Sequence, residues 1–172
     1  TGISFASDQT KLKLDTADIT DTENSAHFKL ALKKYFSSRY KLNFGAEYFI
    51  TDFKEDYSAN TIKNEYNFNN NLLGGFAEAD IFFSKNLATK VGLRGEYSQL
   101  LQEFNLSPRL SLAYKAGQNA QFSLAYGEFF QNPRNEYLKF NTDFTAEKTT
   151  HYIANYQFVK NKQIFRAEAY YK

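Results

Sequence analysis

The chain has 172 residues, 42% of them hydrophobic, and a net charge of +2, so it is long enough for one domain, and its bulk charge gives no reason to expect nucleic-acid binding. It contains no cysteine and no methionine, which excludes disulfides, thiolate chemistry and a soft metal site. Aromatic residues make up 18% of the chain, and its mean hydropathy is -0.58. A low mean hydropathy is compatible with a membrane β-barrel, because only alternate strand residues of such a barrel contact lipid.

Alternation of apolar and polar residues with a period of two recurs along the chain and predicts strands with unlike environments on their two faces. The first half predicts a strand over residues 1–14, a polar acidic loop over 15–24, a strand over 25–36, a turn at 37–39, a strand over 40–50 and a long polar segment over 52–70. These connections alternate in length, with one short turn between two long loops.

The second half continues the alternation. It predicts strands over 73–83, 87–97, 107–115, 121–127, 146–158 and 165–171, short turns near 84–86, 116–119 and 159–163, and longer loops near 98–106 and 131–145. The clearest hairpin places six apolar residues on one predicted face: Leu110, Leu112, Tyr114, Phe122, Leu124 and Tyr126.

The nine predicted strands favour an all-β, antiparallel up-and-down transmembrane β-barrel. Short turns at one rim and long loops at the other are typical of outer-membrane barrels, and strands of about 10 residues are long enough to cross a bilayer when tilted. Aromatic residues such as Phe36, Tyr40 and Phe83 flank the short turns on the predicted apolar face, as an interfacial girdle requires. A soluble β-sandwich that binds ligands is the alternative, with these aromatics in its core.

Four motifs carry a resemblance to a known family: GLRGEYS at 92–98, SPRLSLAY at 107–114, YGEFFQNP at 126–133 and AEKTTHYIANYQF at 146–158. In this order the chain resembles the barrel of a TonB-dependent outer-membrane receptor, most specifically over residues 74–172. The resemblance implies that residues 1–172 form about nine strands of a barrel of about 22 strands. We therefore expect a partial transmembrane barrel domain, with its turns on the periplasmic side and its loops on the extracellular side.

The resemblance also implies the partners and the location of the protein. These are the outer membrane of a Gram-negative cell, a plug domain of the same parent protein that is not recognisable in this sequence, and a TonB-type energy-coupling protein; a surface lipoprotein is a further candidate. The implied function is the capture and import of a scarce bulky nutrient. A passive porin or structural barrel remains open as an alternative, and siderophores, cobalamin, glycans and peptides are all possible ligands.

No catalytic motif, cofactor-binding loop or zinc-like cluster is recognisable, so the sequence does not predict an enzyme. His27 and His151 are interpreted as structural residues. The acidic loop with Asp15, Asp18, Asp21 and Glu23 lacks the spacing of a calcium loop, and a solvated loop is the favoured interpretation. Glu78 and Asp80 are expected to face Lys90 and Arg94 and to balance charge in the lumen of the barrel.

Long loops on a rigid scaffold are where ligand recognition usually occurs, and aromatic side chains bind bulky organic ligands at a low cost in entropy. The candidate substrate-binding residues are therefore the aromatic and guanidinium side chains of the predicted loops: Tyr57, Tyr66, Phe104, Phe129, Phe130, Arg134 and Tyr137. The same aromatics would also suit an outer girdle or loop-to-loop packing.

Overall fold

A computed structural model describes residues 1–141 and 143–172. The elements are β1 (Gly2–Leu14), β2 (Ala17–Tyr35), β3 (Tyr40–Ala59), β4 (Ile62–Phe82), β5 (Leu87–Ser98), β6 (Glu103–Ala116), β7 (Ala120–Gln131), α1 (Asn135–Leu138), β8 (Glu147–Lys160) and β9 (Gln163–Tyr171). Within these described residues, no helix is long and apolar enough to cross a membrane.

The nine strands form a single antiparallel sheet in which each strand pairs with its neighbours in the sequence. The predicted all-β, up-and-down arrangement is confirmed. In the part of the chain that the structure describes, β1 and β9 each have only one strand partner, and no second sheet covers either face. The sheet is therefore an open segment of a barrel wall, and the sandwich alternative is wrong.

One face of the sheet is apolar from β1 to β9. The register aligns Phe28 with Tyr48, Tyr48 with Leu73, Leu73 with Tyr97 and Tyr97 with Phe104. It also pairs the two strands of the predicted hairpin as expected, with Leu110 opposite Tyr126, Leu112 opposite Leu124 and Tyr114 opposite Phe122. Most large side chains of this outward face are exposed, as contact with lipid requires.

The opposite, polar face is the inward face of the wall. The strand residues with buried side chains all lie on it: Glu47, Phe53, Glu55, Ser98, Asn105 and Ser107. Side chains of strands that are not neighbours also meet on this face, as Arg94 of β5 and Glu47 of β3 do at 3.5 Å. The polar residues are thus the more enclosed ones, the reverse of a soluble protein.

The strands β1 to β4 are longer than the apolar face needs. On β3 the apolar alternation runs from Tyr40 to Ile50, and about 11 residues span about 25 Å of membrane thickness at a tilt of about 45°. The remaining residues, 51–59, extend the strand by about 30 Å. Their outward side chains are polar, including Lys54, which forms ion pairs with Asp56 and Glu65 at 3.3 Å.

Because the strands continue beyond the apolar band, the loops predicted at 15–24, 52–70 and 98–106 are wrong. Residues 15–24 and 52–70 mostly belong to paired strands, and only tight turns at 15–16 and 60–61 separate them. Asp15 and Asn60 adopt left-handed conformations there, with φ of 44° and 52°. The loop predicted at 98–106 comprises only residues 99–102 in the structure. Where both faces of a strand meet water, the sequence loses its apolar alternation although the hydrogen-bonded ladder continues.

The short turns are confirmed near 37–39, 84–86 and 116–119, where Gly117 has a φ of 77°. The turn predicted at 159–163 narrows to 161–162. The predicted loop at 131–145 is the longest connection in the described chain and contains α1. We call residues 132–141 of this connection the strap. Thr142 lies outside the described residues.

Candidate functional site

The inward face of the β1–β4 extension carries acidic side chains. We call the inward-facing positions of residues 8–14, 17–23, 53–59 and 62–70 the upper patch. Among these described positions, the charged residues are Asp8, Asp21, Glu23 and Glu55, and the strands supply no lysine or arginine. Four carboxylates on one surface repel each other unless cations from elsewhere approach them.

The strap lies against this upper patch. The Lys139 ammonium group forms an ion pair with the Glu55 carboxylate, and the side chains of both residues are almost fully buried. Asn135 Nδ2 donates a hydrogen bond to Glu23 Oε2 at 3.0 Å, and Asn70 Nδ2 donates one to Asn135 Oδ1 at 3.3 Å. The strap therefore bridges β7 and the distant strands β2 to β4 across the inward face.

Apolar contacts strengthen this attachment. Leu138 of α1 is only 2% exposed and is one of two buried hydrophobic residues in the described chain; the other is Phe53 of the upper patch. The rings of Tyr66 and Phe140 meet edge to face with centroids 5.6 Å apart. Lys139 Nζ lies 4.8 Å from the centroid of the Phe140 ring and 5.8 Å from that of Tyr66, which adds cation–π attraction.

A cavity of about 460 Å³ lies between the strap and the upper patch. Its charged lining residues are Asp8, Asp21, Glu23, Arg134 and Glu136, four carboxylates against one guanidinium group. Burial raises the pKa of Asp21 above the usual value of 3.8, and the adjacent Glu55 carboxyl raises it further, whereas Lys139 lowers it. The ionisable groups that line the cavity therefore include more acidic than basic side chains.

A second polar cluster lies on the inward face at the level of the apolar band. We call Lys29, Glu47, Glu78, Lys90 and Arg94 the mid-wall cluster. The buried Glu47 carboxylate forms ion pairs with Lys29 Nζ at 2.7 Å and with Arg94 Nη1 at 3.5 Å. Lys29, Glu47 and Arg94 line a cavity of about 350 Å³. Every member of this cluster comes from the strands themselves.

The predicted charge balance in the lumen is confirmed for Lys90, which lies 3.4 Å from Asp80 and 3.8 Å from Glu78. It is wrong for Arg94, which binds Glu96 at 2.7 Å and Glu47 instead. The register explains the difference, because Arg94 lies opposite Phe76 on β4, one pair further along the inward face than Glu78.

Family comparison agrees with this geometry. The family described as "TonB dependent receptor-like, beta-barrel" matches residues 2–172, almost the whole chain. The chain belongs to this family. The comparison with curated proteins gave no match.

Solved receptor barrels share the fold at low sequence identity. The alcaligin outer-membrane receptor FauA from Bordetella pertussis is 14% identical with a TM-score of 0.76, over 98% of this chain and 32% of that one. The siderophore receptor PirA from Pseudomonas aeruginosa is 16% identical with a TM-score of 0.65, over 98% of this chain and 34% of that one. The copper transporter OprC is 14% identical with a TM-score of 0.72, over 90% and 30% of the two chains. This receptor-family chain thus spans about a third of the length of these proteins.

Four of the seven candidate binding residues of this receptor-family chain lie at the upper patch or on the strap. Tyr57 and Tyr66 are inward-facing residues of β3 and β4, in strands rather than in the predicted loops. Arg134 precedes α1 and lines the cavity, and Tyr137 of α1 is 56% exposed. The structure therefore brings these four residues to one end of the barrel wall.

The other three candidates lie elsewhere. Phe104 and Phe130 are on the outward, apolar face of β6 and β7, where Phe104 is 63% exposed. Phe129 faces inward but belongs to a separate group, with its ring 4.8 Å from the Arg109 guanidinium and 4.9 Å from the His151 ring. The strands reach further than predicted, so alternation decides the face of each side chain.

The sequence did not single out Glu55, Asn70, Asn135 or Lys139, which hold the strap in place. Their contacts join residues between 65 and 112 positions apart, and no local pattern indicates such pairs. The calcium alternative for the acidic loop gains no support, since Asp21 and Glu23 face inward while Asp18 faces outward. Among the described residues, no three His, Asp or Glu side chains converge on a possible metal position.

Proposed function

We propose that the chain forms part of the wall of an outer-membrane receptor that captures a scarce bulky nutrient on its extracellular side and imports it with energy from a TonB-type protein. The observation that carries this proposal is the position of the upper patch and the strap. They lie on the inward face beyond the apolar band, where a ligand from outside would first meet the barrel.

Several features support a receptor rather than an enzyme. The family is one of receptor barrels, and the solved relatives are by name an alcaligin receptor, a siderophore receptor and a copper transporter. In the proposed assembly, the long strands of β1–β4 project from the outer leaflet, the short turns face the periplasm and a plug domain fills the lumen. The plug would contact the coupling protein, and a surface lipoprotein is a further candidate partner.

Cysteine labelling tests the proposed orientation, because this chain has no cysteine of its own. Thr61→Cys in the β3–β4 turn and Gln118→Cys in the β6–β7 turn are both exposed and lie at opposite ends of the wall. In intact cells that produce the full-length receptor, a membrane-impermeant maleimide should label Thr61→Cys. It should label Gln118→Cys only after permeabilisation. The reverse pattern, or equal labelling of both, would contradict the proposal.

Energy dependence separates active import from a passive porin. Cells that produce the receptor are grown on one limiting nutrient at a time, a ferric siderophore, copper, cobalamin or a glycan, with and without the TonB protein. Growth on one of them that requires both the receptor and TonB supports active import. Growth that requires the receptor but not TonB would establish a porin instead.

A further inference from the structure

The acidic cavity under the strap indicates which ligand chemistry this end of the receptor can accept. Asp21 and Asn70 both line it, and in each the buried Oδ1 atom has no hydrogen-bond partner among the described residues. A buried acceptor without a donor is costly, and a charged one more so. These two acceptors therefore lack a hydrogen-bond donor, although the Arg134 guanidinium group also lines the cavity.

The neighbouring Glu55 carboxylate does have a cationic partner, which the strap supplies. Asp21 is the direct cross-strand partner of Glu55, so the two carboxylates lie side by side on the inward face. Glu55 is paired with the Lys139 ammonium group, beside the rings of Tyr66 and Phe140. A carboxylate with two aromatic rings is a favourable site for an organic ammonium group. The protein's own lysine occupies this site, whereas Asp21 on the cavity side has no such cation.

We propose that the cavity between the strap and the upper patch binds an ammonium group of a cationic, amine-bearing organic ligand, with Asp21 as the counter-ion and the Asn70 amide oxygen as a second acceptor. This inference rests on the proposed receptor function and names the ligand class for the same end of the barrel. The cavity of about 460 Å³ accommodates a small organic group. The absence of a converging carboxylate set in the described residues favours an organic cation over a metal ion.

The electrostatics also disfavour an anionic ligand. Four carboxylates and one guanidinium group line the cavity, so a ligand carboxylate or catecholate would meet net negative charge. Arg134, the one cationic side chain of the lining, is exposed and has no ion pair among the contacts that the structure describes. An ammonium ligand would compete with this side chain, and with Lys139, for the same carboxylates.

Binding of putrescine, with 1,4-butanediol as its neutral analogue, tests the inference on the purified full-length receptor in detergent. Saturation-transfer NMR should show saturable binding of putrescine and none of butanediol. Asp21→Asn should weaken putrescine binding about tenfold or more, since a charge-assisted contact is lost. Asp18→Asn is the matched control, because Asp18 is on the same strand but faces outward, and it should bind as the unmodified receptor does.

Two further variants keep the test decisive. Glu23→Gln removes a second carboxylate of the cavity and should also weaken putrescine binding if Asp21→Asn does not fold. Glu136→Gln removes the carboxylate that the strap itself contributes to the cavity and should weaken putrescine binding in the same direction. Equal binding of putrescine and butanediol, unchanged binding in Asp21→Asn, or the same loss in Asp18→Asn would each overturn the inference. TonB-dependent growth would survive that failure, so the two proposals fail separately.

Discussion

The upper patch and the mid-wall cluster lie on the same inward face but neutralise their acids in different ways. In the mid-wall cluster, Glu47 is paired with Lys29 and Arg94, which come from the adjacent strand and from the next strand but one. In the upper patch, Glu55 is paired with Lys139, which lies 84 positions away on the strap. The first arrangement lies within the sheet, whereas the second depends on a residue of the strap, which lies outside the sheet.

This difference distinguishes a charge network that belongs to the sheet from a contact that depends on a separate segment. A charge network built from hydrogen-bonded strands cannot change without disrupting the sheet, so the mid-wall cluster stabilises the wall. The strap is held by one buried ion pair, three amide hydrogen bonds, one of them from Asn132 to Ser98 of β5, and the apolar contacts of Leu138 and Phe140. Its attachment is local, and a ligand that competes for the same carboxylates can shift its equilibrium.

The largest expected effect is that of Glu47→Ala in the mid-wall cluster. The change removes the buried Glu47 carboxylate and leaves the mostly buried Arg94 guanidinium group and the half-exposed Lys29 ammonium group without their shared partner, which should cost about 3 kcal/mol of folding free energy. Thermal unfolding of the full-length receptor in detergent measures this loss. Glu96→Ala is a less disruptive control, because it leaves Arg94 its contact with Glu47. Equal stability of Glu47→Ala and the unmodified receptor would show that the cluster is not structural.

Leu138→Ala should release the strap without affecting the mid-wall cluster. Leu138 is 2% exposed, and its truncation should cost about 2 kcal/mol, mainly from the strap; this is the lower end of the range for buried leucines, because a short local segment can close around the smaller side chain. Hydrogen exchange of residues 134–140 should accelerate, while β5 and β6 stay protected. Tyr137→Ala, at the exposed neighbouring position, serves as the control and should leave exchange almost unchanged. Uniform acceleration across all strands would contradict a locally attached strap.

Gly45→Ala should destabilise the wall within the mid-wall cluster, because Gly45 lies opposite Phe76, the cross-strand partner of Arg94. A Cβ atom at Gly45 would clash with the Leu30 carbonyl oxygen and would lie 2.9 Å from the Phe76 ring. Such overpacking typically costs about 1 to 3 kcal/mol. Gly75→Ala is the matched control, since its nearest neighbour would be 3.9 Å away. Unfolding midpoints of the two variants should therefore differ, and identical midpoints would contradict the tight packing around Gly45.

The smallest expected effect is a dependence of strap attachment on pH. Burial and the Glu55 carboxyl raise the pKa of Asp21, so the folded receptor binds this proton more tightly than the unfolded chain does. The resulting stabilisation is present at low pH and is lost as the pH rises from the usual 3.8 through the raised pKa. Hydrogen exchange of the strap, corrected for intrinsic exchange rates, should show this trend, and Asp21→Asn should reduce it. A trend of the opposite sign would contradict the assignment.

The wall was predictable from sequence where one face meets lipid. Leu110, Leu112 and Tyr114 alternate with polar residues, and this pattern determines strand, face and hairpin partner together. The pattern ends at Ile50 on β3, because beyond it the outward residues Asp52, Lys54 and Asp56 are polar and the inward face alternates between Phe53, Glu55 and Tyr57. The continuation of β3 beyond Ile50 could therefore not be predicted from the sequence.

The strap was not predictable for a different reason. Asn135 and Glu23 are 112 positions apart, and their contact depends on how far the wall curves and on where the β7–β8 connection folds. Arg134 and Tyr137, which lie on the strap, were singled out because long connections tend to carry recognition residues, and their role in binding stays a prediction. Lys139 and Glu55 were missed because an ion pair between distant segments has no local signature.

A double-mutant cycle on Lys139 and Glu55 tests most directly whether the strap is held by the upper patch. The single variants Lys139→Ala and Glu55→Ala, and the double variant, are compared for strap opening by hydrogen exchange, with Lys90 and Asp80 as a partly exposed reference pair measured by thermal unfolding. Because the first pair is buried, we predict a coupling energy of about 1.5 to 3 kcal/mol for it and below about 1 kcal/mol for the reference pair. A coupling energy near zero for Lys139 and Glu55 would contradict the account, since the strap would then be attached to the wall by other means.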